Sequence, residues 1–217
     1  MLTRERKMKR IDYCRLMVDF PSWDKVVFVY ESMFCSTKYG PKRIIKPRGE
    51  RFNDAYANLI DFAGRSSISV FGVLTSRGLG LLIKIDGRLN SVQYCEILRQ
   101  CLPFLNDKFD RFLWFQDNCP VHDSNYTVQW VQSNSPCLIL PHPPYSPDFK
   151  STENIWGLAE QLLSSYPRPR NSNEYFDQIL LAWRTIGCNR ELIHDLYASM
   201  NNRLKLCIGR GGAITRY

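Results

Sequence analysis

An α/β fold built on a mixed sheet is predicted by three features of the sequence. Residues 66–75 and 79–85 are strand-like runs joined by Ser76-Arg77-Gly78, a tight turn that makes the pair antiparallel. From about residue 90 onward, segments of helical and strand period alternate, which favours parallel strands with helical crossovers. The apolar run 109–116 ends on Asp117, and an amphipathic helix opens around Glu153. A carboxylate at a strand's carboxyl end, facing one at a helix start, can hold divalent metal at the edge of a sheet. The same positions also suit a turn residue and a first-turn acid favoured by the helix dipole. Position alone favours that plainer reading.

Taken in order, residues 3–18 have helical spacing, with Ile11, Cys14, Leu16 and Met17 as apolar positions on a very basic segment closed by Pro21. Residues 25–30 (Lys-Val-Val-Phe-Val-Tyr) read as a buried strand. The polar, basic stretch 36–58 contains Gly40, Pro41, Pro47 and Gly49 and reads as a long loop or irregular hairpin. After the antiparallel pair, Asn90 or Ser91 caps a helix that buries Val92, Cys95, Leu98, Cys101, Leu102 and Leu105. Pro103 is expected to break or bend its last turn. Residues 109–116 form the fourth strand, and Ser124 caps a short helix carrying Val128 and Val131. Residues 137–140 form a short buried fifth strand. Pro141, Pro143, Pro144 and Pro147 then stiffen the chain until Ser151 or Thr152 caps the helix of Glu153. That helix buries Ile155, Leu158, Ala159, Leu162 and Leu163. Beyond the linker 167–170, Ser172 opens another helix, and 190–208 forms the last, ended by Gly209, Gly211 and Gly212.

Composition narrows the function classes. A chain of 217 residues with 44% hydrophobic and 23% charged residues suits one globular domain. No apolar run is long enough to cross a bilayer and the first residues lack a signal-peptide core, so an intracellular protein without a membrane role is expected. Eight scattered cysteines without a C-x-x-C pair argue against a zinc site of conventional spacing and against a disulfide framework. The net charge of +8 is uneven. Arg4, Arg6, Lys7, Lys9 and Arg10 form one cluster, and Lys42, Arg43, Lys46, Arg48 and Arg51 form another. Such clusters suit a phosphate backbone, so the second is read as a double-stranded DNA contact. The first also resembles a nuclear-import signal, and a nuclear location is expected.

The order of strands and helices, with acids after the fourth strand and after the fifth, looks like the ribonuclease H-like fold. Phe115-Gln116-Asp117-Asn118-Cys119-Pro120-Val121-His122 resembles the Q-D-N-x-P-x-H motif of mariner-type DDE transposases. The run 141–156 (Pro-His-Pro-Pro-Tyr-Ser-Pro-Asp-Phe-Lys-Ser-Thr-Glu-Asn-Ile-Trp) resembles their W-P-x-x-S-P-D-L-N-P-I-E-N-L-W motif, at the family's usual separation. Residues 212–217 are similar, less strongly, to the carboxyl end of nematode members. The resemblance implies DNA transposition by two-metal phosphoryl transfer, with Mg²⁺ or Mn²⁺ held by three carboxylates. It makes Asp117 and Glu153 the second and third acids, both metal ligands. It also implies transposon-end DNA as a partner and raises the possibility of a homodimer. Residues 1–24 are then a basic linker or helix remnant, and 25–217 the ribonuclease H-like domain with its C-terminal helices. The helix-turn-helix modules that the family carries upstream are expected to be absent.

The family's first aspartate lies in a motif like F-S-D-E-S-x-F, and the matching residues here are Phe28-Val29-Tyr30-Glu31-Ser32-Met33-Phe34. Tyrosine stands in the aspartate's place. Side chains alternate along a strand, so Glu31 should point away from Asp117 unless a bulge re-aims it. A phenol is neutral at pH 7 and its ring fills space the metals need. Weakened metal binding and impaired catalysis are therefore expected. The alternative is a co-opted module that holds DNA or a protein without cutting. Lys150-Ser151-Thr152 replaces the family's Asn-Pro-x, a change the helix start tolerates. His122 is expected near the site, His142 in a loop, Trp114 and Trp156 in the core, and Asp148 in the turn before the helix.

Overall fold

The structure, a computed structural model, describes residues 2–36, 67–135 and 137–216. Five strands form one sheet in the order β3-β2-β1-β4-β5. They are β1 (Val26–Cys35), β2 (Ser67–Thr75), β3 (Gly78–Ile85), β4 (Leu113–Phe115) and β5 (Leu138–Leu140). The first three pair antiparallel, while β4 and β5 add on in parallel. The mixed sheet predicted from the tight turn and the later alternation is the one observed.

The sheet is covered on both sides because its strands alternate apolar residues to both faces. Val27, Val29, Phe71 and Val73 pack against α2 (Ser91–Lys108) and α3 (Asn125–Asn134). Val26, Phe28, Val70 and Leu74 face α1 (Arg4–Met17), α4 (Ser151–Ser165) and α5 (Ser172–Gly187), with α6 (Arg190–Ala198) and α7 (Met200–Gly209) completing that layer. Trp114 and Trp156 are buried in these two cores, as expected. Among the described residues no helix is long and apolar enough to cross a membrane. All eight cysteines are free, and four of them (Cys14, Cys95, Cys101 and Cys207) are buried.

Several local expectations are corrected. The first strand continues to Cys35, because Glu31–Cys35 pair with β2 although their side chains are largely polar or half-buried. The fourth strand keeps only three residues, bounded by the cap of α2 at Phe109 and the turn that begins at Asp117. Pro103 sits inside α2 without ending it, on the exposed face, where the carbonyl left unpaired one turn back can turn to water. On the same helix Val92 is exposed, as Leu16 is on α1. The fifth strand is not buried: Leu138 is 71% exposed at the sheet edge. The last helix is two, parted at Ser199, which ends α6 and starts α7.

Candidate active site

Strand register brings the first two positions together. Phe28 of β1 lies opposite Phe115 of β4, so Tyr30 and Asp117 each stand two residues further along, at the same end of the sheet. The third position comes from α4, whose buried Ile155, Trp156 and Ala159 seat it on the sheet with Glu153 in its first turn. Tyr30, Asp117 and Glu153 line one cleft of about 450 Å³, which His142, Tyr145 and Lys150 help to close.

Both oxygens of Asp117 are taken by protein groups. Oδ1 accepts from the backbone N–H of Cys119 at 3.1 Å and lies 2.9 Å from Nδ1 of His122. Oδ2 accepts from Nζ of Lys150 at 3.0 Å. Burial alone would raise the Asp117 carboxyl, but His122 and Lys150 outweigh it and hold the group well below the usual carboxylate range. Lys150 also rests its ammonium 3.8 Å from the centre of the Tyr30 ring. Tyr30 is itself pushed up by burial first, then by the negative charges of Glu153, Asp117 and Glu31, so it stays a neutral phenol.

Glu31 takes the opposite face of β1, as alternation requires, but it does not leave the site. Its Oε1 meets Nε2 of His122 at 3.0 Å, while the other ring nitrogen meets Asp117. His122 is buried and lies against the ring of Tyr94 at 4.3 Å. Burial would lower this imidazole, yet its two carboxylate partners, Asp117 and Glu31, carry it up to about 10. His122 is therefore a buried cation bridging Glu31 of β1 and Asp117 beyond the end of β4. Asp117, Cys119 and His122 bring three metal-ligating atom types within 4.8 Å, but both ring nitrogens of His122 already meet carboxylates, at 2.9 Å and 3.0 Å.

The proline-rich segment closes the cleft. Its backbone is tied to the turn after β4 by Asn118 Nδ2, which donates to the carbonyl of His142 at 2.9 Å. The His142 ring is buried edge-on to Phe115 at 5.0 Å, with Nε2 unpartnered, and burial lowers it to about 4. Tyr145 next to it has φ 57, the only positive value at a non-glycine among the described residues. Arg10 holds that backbone by donating to the Tyr145 carbonyl at 3.2 Å, and Arg6 packs on its ring at 3.6 Å. Asp148 sits in the middle of the 3-10 turn Pro147–Phe149 and is buried against Arg10 at 2.7 Å. It fixes the turn before α4, as expected for that residue.

Helix α4 starts differently from expectation. Neither Ser151 nor Thr152 caps it; both are buried inside the first turn, and the Ser151 hydroxyl points to Met200 Sδ at 3.3 Å. Lys150 takes the cap position without a side-chain bond to the helix. Its partnership with Asp117 and Tyr30 was missed at the sequence level, where the residue counted only as a lost asparagine. A buried cation at the positive end of a helix runs against the helix dipole, and that is the signal that marks it as bound elsewhere. Lys42, Arg43, Lys46, Arg48 and Arg51, the predicted DNA contacts, lie outside the described residues.

Two acids and a tyrosine at the first-acid level, gathered at one end of a mixed five-stranded sheet, define the class of the site as nuclease-type. The family of DDE superfamily endonucleases matches residues 25–174, and the chain belongs to it. Within that class it is a mariner-type transposase catalytic domain. The Tc1 transposase of Caenorhabditis elegans and the Tcb2 transposase of Caenorhabditis briggsae are each 28% identical to it, over the whole chain and 80% of their own lengths. Among solved structures, the Mos1 transposase paired-end complex with left transposon end superposes with a TM-score of 0.81 at 14% identity, covering all of this chain and 65% of that one. The Mos1 catalytic domain with Raltegravir and Mn gives 0.76 at 15% identity, covering 100% of this chain and 99% of that one. The shared fold is ribonuclease H-like. The chain spans about two thirds of the Mos1 protein in the paired-end complex.

The residues present do not fit the family's two-metal site. Mg²⁺ takes hard oxygens at about 2.0–2.1 Å in near-octahedral geometry. Here one of three carboxylates is a neutral phenol, and both oxygens of a second already have N–H partners.

Proposed function

We propose that this chain is a Tc1/mariner-type transposase domain that still engages double-stranded DNA but cuts and joins it poorly. Tyr30 at the first-acid position, in one cleft with Asp117 and Glu153, is the observation that carries this reading. Two-metal phosphoryl transfer needs both the attacking and the leaving oxygen stabilised. A cleft with a phenol in place of the first carboxylate binds divalent metal weakly. The partner DNA, transposon ends above all, is supported by the family and by the basic stretch Lys42, Arg43, Lys46, Arg48 and Arg51, and action on chromosomal DNA would place the protein in the nucleus. The second reading, a co-opted module that holds DNA or a protein without cutting, is favoured by the same residue.

A cleavage assay on pre-nicked, end-mimicking DNA with Mg²⁺ or Mn²⁺ separates active from impaired. Little or no product from the native chain is expected. Metal-dependent cutting by the native chain that vanishes in Asp117→Ala would overturn the reading. Affinity for duplex DNA should fall steeply with salt, since phosphate contacts release counterions. Failure to bind duplex DNA even at low salt would leave the protein-binding form of the second reading.

A further inference from the structure

Tyr30 is not the only residue that stands against a metal in this cleft. The Lys150 ammonium lies between the first-acid and second-acid positions, 3.8 Å from the Tyr30 ring centre and 3.0 Å from Asp117 Oδ2. A metal shared by the first two acids must approach that same carboxylate oxygen. Lys150 is 8% exposed and sits at the start of α4, where the helix dipole disfavours a cation. A charge-assisted hydrogen bond to Asp117 and the face of an aromatic ring offset that cost. The two residues that depart from the family motifs at the cleft, Tyr30 and Lys150, are thus in contact with each other.

We propose that Lys150 is the site's own built-in cation, a second lock that excludes divalent metal independently of Tyr30. This rests on the reading of the site as metal-impaired, and extends it to a residue whose departure from the family motif is not explained by strand geometry. The lock has a counter-intuitive consequence. Restoring the first acid alone, by Tyr30→Asp, does not rebuild a metal site. It removes the aromatic face but gives the ammonium a second carboxylate to sit between, which strengthens its hold. A metal would still have to displace a buried cation from Asp117 and carry its own charge past it. Only when the charge at position 150 is also removed do Asp117 Oδ2 and the space beside it become free.

The test is Mn²⁺ binding to the whole chain, followed by electron paramagnetic resonance of the free ion, without DNA and without an activity readout. Native protein, Tyr30→Asp, Lys150→Asn, and the two combined are compared. A further double variant, Tyr30→Asp with Lys150→Met, keeps the aliphatic stem and deletes only the charge. Each variant's thermal transition is recorded without metal, so that loss of folding is seen directly. Both double variants are expected to bind Mn²⁺ at least about tenfold tighter than Tyr30→Asp alone, a difference of about 1.4 kcal/mol. Tyr30→Asp with Lys150→Arg, which retains the charge, is expected to bind no tighter than Tyr30→Asp alone. Tyr30→Asp binding as tightly as the folded double variants would overturn the lock and leave the impaired-site reading standing. Tight binding by the native chain would overturn both.

Discussion

His122 and His142 are both buried in one small region, and their environments push them in opposite directions. His122 sits between Asp117 and Glu31 and is carried up to about 10 from an ordinary 6.5. Its contribution to stability is complete below pH 6.5 and is lost as pH rises toward 10, because the unfolded chain gives up that proton earlier. His142 has no partner for Nε2 and is lowered to about 4. Its effect has the other sign: the unfolded chain binds a proton that the folded chain refuses, so stability falls as pH drops from 6.5 to 4. Urea midpoints should therefore peak near pH 6.5 and fall on both sides, each limb worth on the order of a few kcal/mol. Between pH 6.5 and about 8, below the ordinary thiol range, His122→Gln should flatten the falling limb. A native midpoint that rises through that interval would contradict the assignment. None of this was legible from the residues alone. His122 was recognisable as part of a motif, but Glu31 is remote in sequence and points to the other face of its strand. Only the fold shows that an imidazole can join the two.

At the scale of elements, the position of Glu153 depends on how closely α4 approaches the sheet. Gly72 of β2 lies opposite Tyr30 of β1, on the face that α4 covers. A Cβ added there would lie 2.5 Å from the Trp156 ring and 2.9 Å from that of Trp183. Trp156 and Trp183 stack at 5.1 Å, and Trp183 donates from Nε1 to the Gly80 carbonyl at 2.9 Å, so neither ring has room to retreat. Gly72→Ala is expected to cost about 1–3 kcal/mol by overpacking. A lowered urea midpoint together with a changed tryptophan emission would show it, and an unchanged midpoint would mean that α4 shifts freely. Which elements exist was largely legible, because strand and helix periods are strong local signals. Their ends were less so. Pro103 is tolerated because it falls on an exposed face, the break at Ser199 carries no proline or glycine, and β1 outruns its apolar run because β2 supplies backbone partners.

At the scale of the whole molecule, the mixed sheet was legible because one tight turn fixes antiparallel pairing and the later alternation fixes parallel pairing. What joins the first helix to the last segment was not, because it centres on a buried pair, Arg10 and Asp148, far apart in sequence. Arg10 also donates to the carbonyls of Gly212 at 3.0 Å and Ala213 at 3.3 Å. Arg10 is fully buried on α1 and donates to Asp148 from Nη1 at 2.9 Å and from Nη2 at 2.7 Å. Thr215 donates to the same group from its backbone N–H at 2.8 Å and from its hydroxyl at 2.9 Å. Asp148 is held low, because Arg10 and Thr215 outweigh its burial. Arg10→Met should cost about 3–5 kcal/mol by leaving that charge buried without its partner. Arg10→Met with Asp148→Leu should recover part of the loss, and denaturant unfolding of the three variants checks the order. In mechanical terms this carboxylate is a clasp. A pull applied between Arg10 and Thr215 loads its four bonds, together with those from Arg10 to the Gly212 and Ala213 carbonyls, before any strand is sheared, so the sheet that positions Tyr30 and Asp117 is shielded from tension for as long as the clasp stays shut.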